Sequence, residues 1–290
     1  MLSFHKLGNY GRLGNQLFQY AFLREHARRL KTRFYCPNWD ADKIFDLHDE
    51  DERASAAEGV EHNWGPGDEA GFSEQAMQIA DNTEIEGFFQ SEKYYDDPNK
   101  VRQWFRYKKE VIEEVDQKYP AFDWSDCVSF SLRLDDDYGD TREYFPLYPL
   151  SYYENSLAVV KSKGPIVVFA DRHDRARVFL SKIRTDRKLV FIDKLGAAAQ
   201  LNAMSRCRDN VITNSTFAWW GAWLNPGPDK VVVVASDWTR AGVPRPVTDI
   251  LCDSWIKVQG THPVFDHFQT WRLRHPLGTV KRIVRRRLGR

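Results

Sequence analysis

Residues 209–235 read DNVITNSTFAWWGAWLNPGPDKVVVVA, and this stretch decides the fold. The outer pieces, DNVITN (209–214) and KVVVVA (230–235), are short apolar runs rich in β-branched residues and read as strands. Between them STFAWWGAWLN (215–225) is aromatic and apolar, and it opens with Ser215-Thr216 as a helix N-terminus does. The second of these strands is almost continuously apolar instead of alternating, the pattern of a parallel sheet covered by helices on both faces. The same alternation extends towards the N-terminus. CVSFSLRL (127–134), PIVVFA (165–170) and KLVFID (188–193) read as strands. LSYYENSLAVVKSK (150–163), DRARVFLSK (174–182) and LGAAAQLNAMSRC (195–207) read as the helices between them. Strands and helices joined by short links make a doubly wound, Rossmann-like unit.

The first half opens the same way. SFHKL (3–7) is a candidate strand, GNYGRLGN (8–15) a glycine-rich turn, QLFQYAFLREHARRL (16–30) an amphipathic helix and RFYCP (33–37) the next strand. Residues 40–80 are acidic and poorly periodic and read as surface loops. NKVRQWFRYKKEVIEEVDQKY (99–119) reads as one helical stretch leading to a boundary between Pro120 and Asp126. The expected organisation is an N-terminal α/β domain over 1–125, a second Rossmann-like domain over 126–268, and a basic tail over 269–290.

Composition sets bounds on function. A chain of 290 residues builds two cores of roughly 130 residues each. Its 42 basic and 41 acidic residues nearly cancel, so nucleic acid is not an expected partner. Four scattered cysteines lack the spacing of a zinc site or disulfide framework, which fits a reducing compartment. The N-terminus lacks the pattern of a signal peptide, and no run approaches the ~18 apolar residues of a membrane span. These features point to the cytoplasm.

In an open parallel sheet, ligands bind beyond the carboxyl ends of the strands. Those ends in the second half carry Arg133, Asp171 and Asn214. A guanidinium is a planar, permanently charged fork suited to phosphate. Asn214-Ser215-Thr216 stands where a strand becomes a helix, a natural anion site. In the first half, Gly8, Gly11 and Gly14 lead into Asn15 and Gln16 at another helix start. Two Rossmann-like halves, each with a polar strand-to-helix corner, suggest a ligand held in a cleft between them. Structural roles are open for all of these residues: Ser215-Thr216 as a plain cap, the glycines as turn formers, Arg133 as a surface charge. An oxidoreductase is disfavoured, because no acidic residue ends the strand RFYCP.

Four segments carry a resemblance. GRLGNQLFQYAF (11–22), GFFQSEKYYDD (87–97), VFADRH (168–173) and ITNSTFAWWGAWLN (212–225) resemble, in order and spacing, the motifs of the α-1,2-fucosyltransferases of glycosyltransferase family 11. The resemblance implies a metal-independent GT-B fold and an inverting transfer of fucose from GDP-β-L-fucose to a sugar hydroxyl, α-1,2 to galactose in the family's usual form. It implies donor contacts from Gly14, Asn15, Gln16, Ser131, Arg133, Asp171, Asn214, Ser215, Thr216 and Phe217. Arg133 matches the arginine that holds the donor diphosphate. Asp171 would meet the nucleoside. Glu92 and Asp136 are the candidates for accepting the acceptor's proton.

One motif departs. Where the family has His-x-Arg-Arg-Gly-Asp-Tyr, this chain has Ser131-Leu132-Arg133-Leu134-Asp135-Asp136-Asp137-Tyr138. Leu134 lacks a positive charge and Asp135 adds a negative one, so weaker GDP binding is expected, with Arg142 as a candidate compensating cation. Asp135-Asp136-Asp137 also admits a reading as the Asp-x-Asp metal site of the other main glycosyltransferase fold, or as a solvated acidic loop. The strand pattern favours no metal and no cofactor beyond the donor. A transferase for another nucleotide sugar and a non-catalytic sugar-nucleotide-binding protein are the alternatives. The basic tail, with Val280, Ile283, Val284 and Leu288 at helical spacing, is either a frayed end or a contact of 276–290 with the inner face of a membrane, where lipid-linked glycan acceptors are made.

Overall fold

The computed structural model of the chain describes residues 1–65, 71–134, 144–240, 243, 247 and 249–260. They form an α/β structure with two sheets, parallel throughout. In the first, β1 (Leu2–Ser3), β2 (Phe34–Tyr35), β3 (His62–Trp64) and β4 (Thr83–Ile85) lie in the order β2-β1-β4-β3. In the second, β5 (Val128–Leu132), β6 (Ile166–Ala170), β7 (Leu189–Phe191), β8 (Asp209–Ile212), β9 (Val232–Ala235) and β10 (Ile256–Val258) lie in the order β10-β9-β8-β5-β6-β7. Counted from its own first strand this is the 3-2-1-4-5-6 order of the doubly wound fold. The order reverses between β5 and β8, because the chain leaves β5 towards β6 and leaves β8 towards β9 on the opposite side. The larger sheet therefore has a topological switch point there.

The helices among the described residues are α1 (Leu13–Leu30), α2 (Ala41–Ile44), α3 (Pro98–Trp104), α4 (Lys109–Lys118), α5 (Leu150–Leu157), α6 (His173–Leu180), α7 (Ala197–Arg206) and α8 (Thr216–Trp223). The segment expected as one helix over 99–119 is two, α3 and α4, because Phe105 leaves helical geometry and Phe45 bridges Tyr107. The region expected to be only loops over 40–80 contains α2, β3 and a 3₁₀ turn at Ala76–Gln78. The first strand is shorter and earlier than SFHKL.

Helix α8 joins the two sheets. Trp219, Trp220 and Trp223 are fully buried, and each indole N–H has an acceptor: Ile250 O at 2.7 Å, Gly14 O at 3.0 Å and Glu92 Oε2 at 2.9 Å. Gly14, in the first turn of α1, has no room for a side chain, since a Cβ there would stand 2.5 Å from Phe217 N. One apolar core runs from Leu2 and Phe18 through Trp219 and Trp220 to Val234, and a second, built on Phe130, Tyr152 and Val168, covers the other face of the larger sheet. From the first half α4 also packs on α7, with Glu114 accepting from Gly196 N at 2.9 Å and Asp116 pairing with Arg206. The four cysteines are buried and free of disulfides.

Candidate active site

The carboxyl ends of β5, β6 and β8 and the first turns of α1 and α8 enclose a cavity of about 780 Å³. Its walls come from both halves of the chain: Gly11, Arg12, Gly14 and Asp40 on one side, Arg133, Asp171, Ser215 and Phe217 on the other. A cavity of this size holds a ligand of several hundred daltons, and a switch point is where open α/β sheets bind theirs.

The glycine turn is built for close approach. Gly8 and Gly11 have φ of +91° and +81°, a region that disfavours a side chain, and the Gln16 amide donates to both their carbonyls at 3.0 and 2.8 Å. Asn15 lies behind the wall: its Oδ1 accepts from Thr216 Oγ1 at 2.9 Å and from Gln90 Nε2 at 3.0 Å. On the opposite side Ser215 caps α8, its hydroxyl accepting from Ala218 N at 3.4 Å. Thr216 and Phe217 open that helix at the cavity edge, where N–H groups lack partners in the helix and the dipole is positive. Arg133 follows β5, its Nε 3.9 Å from Asp171 Oδ2. Asp171 Oδ1 accepts from Leu134 N at 2.7 Å, tying the exit of β5 to that of β6. Ser131 is buried at the cavity floor with its hydroxyl 3.2 Å from Thr213 Oγ1.

Of the residues expected at the site, the structure gathers Gly14, Gln16, Ser131, Arg133, Asp171, Ser215, Thr216 and Phe217 around one cavity. Asn15 and Asn214 are not on its wall. Asn214 is buried and donates to Pro146 O at 2.9 Å, fixing the chain behind the β8 corner. Glu92 is not on the wall either: its carboxylate serves as the acceptor for Trp223. Leu134 is buried in the second core, so its side chain is not available to a phosphate. The expectation that Leu134 weakens GDP binding is thereby corrected: an arginine there would be buried among apolar side chains. Asp135, Asp136, Asp137, Tyr138, Arg142 and the tail over 269–290 lie outside the described residues.

The sequence reading missed Arg12, Asp40, His173, Asp193 and Gln200, all on the cavity wall. Asp193 ends the run KLVFID, so the strand-end rule applied to that strand would have found it. Gln200 stands mid-helix on α7, where nothing local marks it. Among the described residues no helix is long and apolar enough to cross a membrane.

Fold and cavity define a parallel α/β protein whose anion-ready corners meet at a switch point. The sequence model of glycosyl transferase family 11 matches residues 146–259, and over these residues the resemblance read from the motifs is borne out. A protein named O-antigen biosynthesis glycosyltransferase WbnK from Escherichia coli is 30% identical over 119 residues, which are 40% of this chain and 38% of that protein. An alpha-1,2-colitosyltransferase from Escherichia coli is 25% identical over 171 residues, 54% of this chain and 56% of its own length. The matches thus span well under the whole of either relative. Among solved structures, POFUT1 in complex with GDP-fucose superimposes with a TM-score of 0.53 at 11% identity, covering 80% of this chain and 97% of that one. At that identity the likeness is one of fold.

Proposed function

We propose that the chain is an inverting glycosyltransferase of the GT-B type, its two Rossmann-like halves facing each other across the cavity. The donor in this reading is GDP-β-L-fucose, and the acceptor is a sugar hydroxyl of a bacterial surface glycan, galactose in α-1,2 linkage being the family form. The observation that carries the reading is the meeting of Arg133 and the α8 N-terminus in one cavity at the switch point of the larger sheet.

The sugar carbon becomes oxocarbenium-like as GDP departs, so catalysis turns on neutralising charge that grows on the leaving phosphate. Arg133 and the first turn of α8 do this in place, with no reorganisation at the moment of reaction. Arg12 faces them from the first half. The acceptor's proton needs a base on the side away from the diphosphate. Glu92 is engaged by Trp223, Asp171 by Leu134, and Asp193 by Arg177 at 2.9 Å. Asp40, from the first half, has among the described residues only a loose pair with Lys43 at 3.6 Å and takes that role in this reading. A second reading, transfer of a different sugar, draws support from the relative named for colitose.

Titration with GDP and GDP-fucose, followed by a GDP-release assay with galactosyl acceptors and a panel of nucleotide sugars, tests both. Arg133→Ala is expected to lose GDP affinity and turnover together. Asp40→Asn is expected to keep GDP affinity and lose turnover by about a hundredfold or more. Normal turnover in Arg133→Ala would remove the diphosphate assignment, and release of GDP from no sugar donor would remove the transferase.

A further inference from the structure

We infer that His173 holds the nucleoside of the donor by a hydrogen bond to a ribose hydroxyl, while Asp171 acts as a positioning residue for Arg133. The inference rests on the nucleotide-sugar reading and goes beyond it, because the motif resemblance gave the nucleoside contact to Asp171. The segment between β6 and α6 is Asp171-Arg172-His173. Asp171 and His173 border the cavity, whereas Arg172 pairs through two nitrogens with Asp174 at 3.0 and 2.8 Å. In the 3-2-1-4-5-6 order β6 is the second strand, and the ribose of a nucleotide lies beyond its carboxyl end.

Position alone would give the ribose to Asp171, but its carboxylate already has structural work. Oδ1 holds Leu134 N, Oδ2 faces the Arg133 guanidinium, and Arg175 secures Leu134 O at 2.8 Å. Removing that carboxylate would release the exit of β5 and let Arg133 swing. His173 differs. Among the described residues neither of its ring nitrogens has a hydrogen-bond partner, and Nδ1 is enclosed, which leaves Nε2 to meet a ligand. A structural histidine looks like His26, whose Nδ1 receives Arg29 at 3.0 Å and whose Nε2 meets Ile79 O at 2.8 Å. Nε2 is not among the enclosed unpartnered atoms, so this half-buried imidazole keeps one nitrogen open on a wall of the cavity. It can donate or accept according to tautomer, and a ribose hydroxyl can meet it either way.

The neighbouring wall suits a nucleoside. Phe169 and Met204 give apolar contact, and Asp193 and Gln200 give polar groups beyond them. The diphosphate then reaches back to Arg133 and α8, in line with the strand order.

Calorimetry with GDP, 2′,3′-dideoxy-GDP and inorganic pyrophosphate on the full chain separates the parts. For the wild type, the dideoxy analogue is expected to bind about tenfold more weakly than GDP, the loss of one good hydrogen bond. His173→Ala is expected to bind GDP about tenfold more weakly, the dideoxy analogue as the wild type does, and pyrophosphate unchanged. His173→Gln, which keeps a donor near Nε2, should recover part of the GDP affinity. Asp171→Asn should weaken GDP and pyrophosphate alike. Unchanged GDP affinity in His173→Ala, or an equal loss for GDP and the dideoxy analogue, overturns the assignment. A wild type that binds another nucleoside diphosphate and not GDP overturns the guanosine donor alone, and the same comparison with that nucleotide then decides His173. A wild type that binds none overturns both.

Discussion

Replacing Gly14 by alanine tests the seam between the halves. The new Cβ would stand 2.5 Å from Phe217 N, 2.6 Å from Thr216 C and 2.7 Å from Thr216 Oγ1. Two of these are backbone atoms, so no rotamer change relieves them, and α1 must part from α8 by roughly 1 Å to restore van der Waals contact. Alanine favours a helix over glycine by about 1 kcal/mol, which works the other way. Overpacking costs about 1–3 kcal/mol. Parting the helices also stretches the bonds from Trp220 Nε1 to Gly14 O and from Thr216 Oγ1 to Asn15 Oδ1, now 3.0 and 2.9 Å, each worth about 1 kcal/mol. The clash and the stretched bonds outweigh the propensity, and a net loss of about 2–4 kcal/mol is expected. Urea unfolding followed by fluorescence reads it directly, since Trp219, Trp220 and Trp223 lie in the seam. Gly221→Ala is the control: its Cβ would meet the Met204 side chain, which can move aside, so a smaller loss is expected. If Gly14→Ala equals or exceeds the wild type in stability, or loses less than Gly221→Ala, the close-approach reasoning fails.

Metal independence is expected: EDTA should leave transfer unchanged, and loss of activity restored by Mn²⁺ would displace Arg133 and α8 as the neutralising groups. Leu134→Arg should lower stability by about 3 kcal/mol or more through a buried charge, with no gain in GDP affinity; tighter GDP binding at full stability would put that side chain in the cavity. Burial pushes the His26 imidazole below its ordinary 6.5, and the Arg29 N–H facing Nδ1 leaves that nitrogen no acceptor if it is protonated. The native state then holds fewer protons than the unfolded chain below about pH 6.5, so stability falls as pH drops through the native value. His26→Gln should flatten that part of the stability–pH curve, and an identical acid limb in both proteins would count against it.

The larger sheet was readable because its strands are buried on both faces and stand out as apolar runs. β5, β6, β7, β8 and β9 fall inside the expected spans. β10 escaped because it is an edge strand, IKV, largely exposed. The smaller sheet was readable only in part: β2 falls inside RFYCP, whereas strands of two or three residues such as HNW at β3 are too short to show a period. The site was legible where strand ends carry charge, at Arg133 and Asp171. It was illegible where a helix face or a tertiary approach supplies the wall, as at Gln200 and Asp40. Two motif letters expected at the site stand off the cavity wall: Asn15 and Glu92, together with Gln90, brace α1 and the 87–97 segment against α8.

That division of labour shows how the tryptophan-rich helix can support the cavity without its tryptophans lining it. At its carboxyl end, Lys230 Nζ donates to the carbonyls of Ala222, Trp223 and Asn225 at 3.0, 3.2 and 2.6 Å, and Arg102 Nε donates to Trp223 O at 3.0 Å. Burial lowers Lys230 to about 8, which still leaves it mostly charged at neutral pH. Two cations thus sit against the negative end of the α8 dipole, while the indoles fix the helix against Gly14, Ile250 and Glu92. The positive end has no basic side chain in its first turn and opens on the cavity between Gly14 and Arg133. An anion arriving there meets N–H groups already aimed and held, so little ordering cost remains to be met on binding. In the proposed reading, the stiffness of the seam is what would make so short a helix effective as a phosphate site.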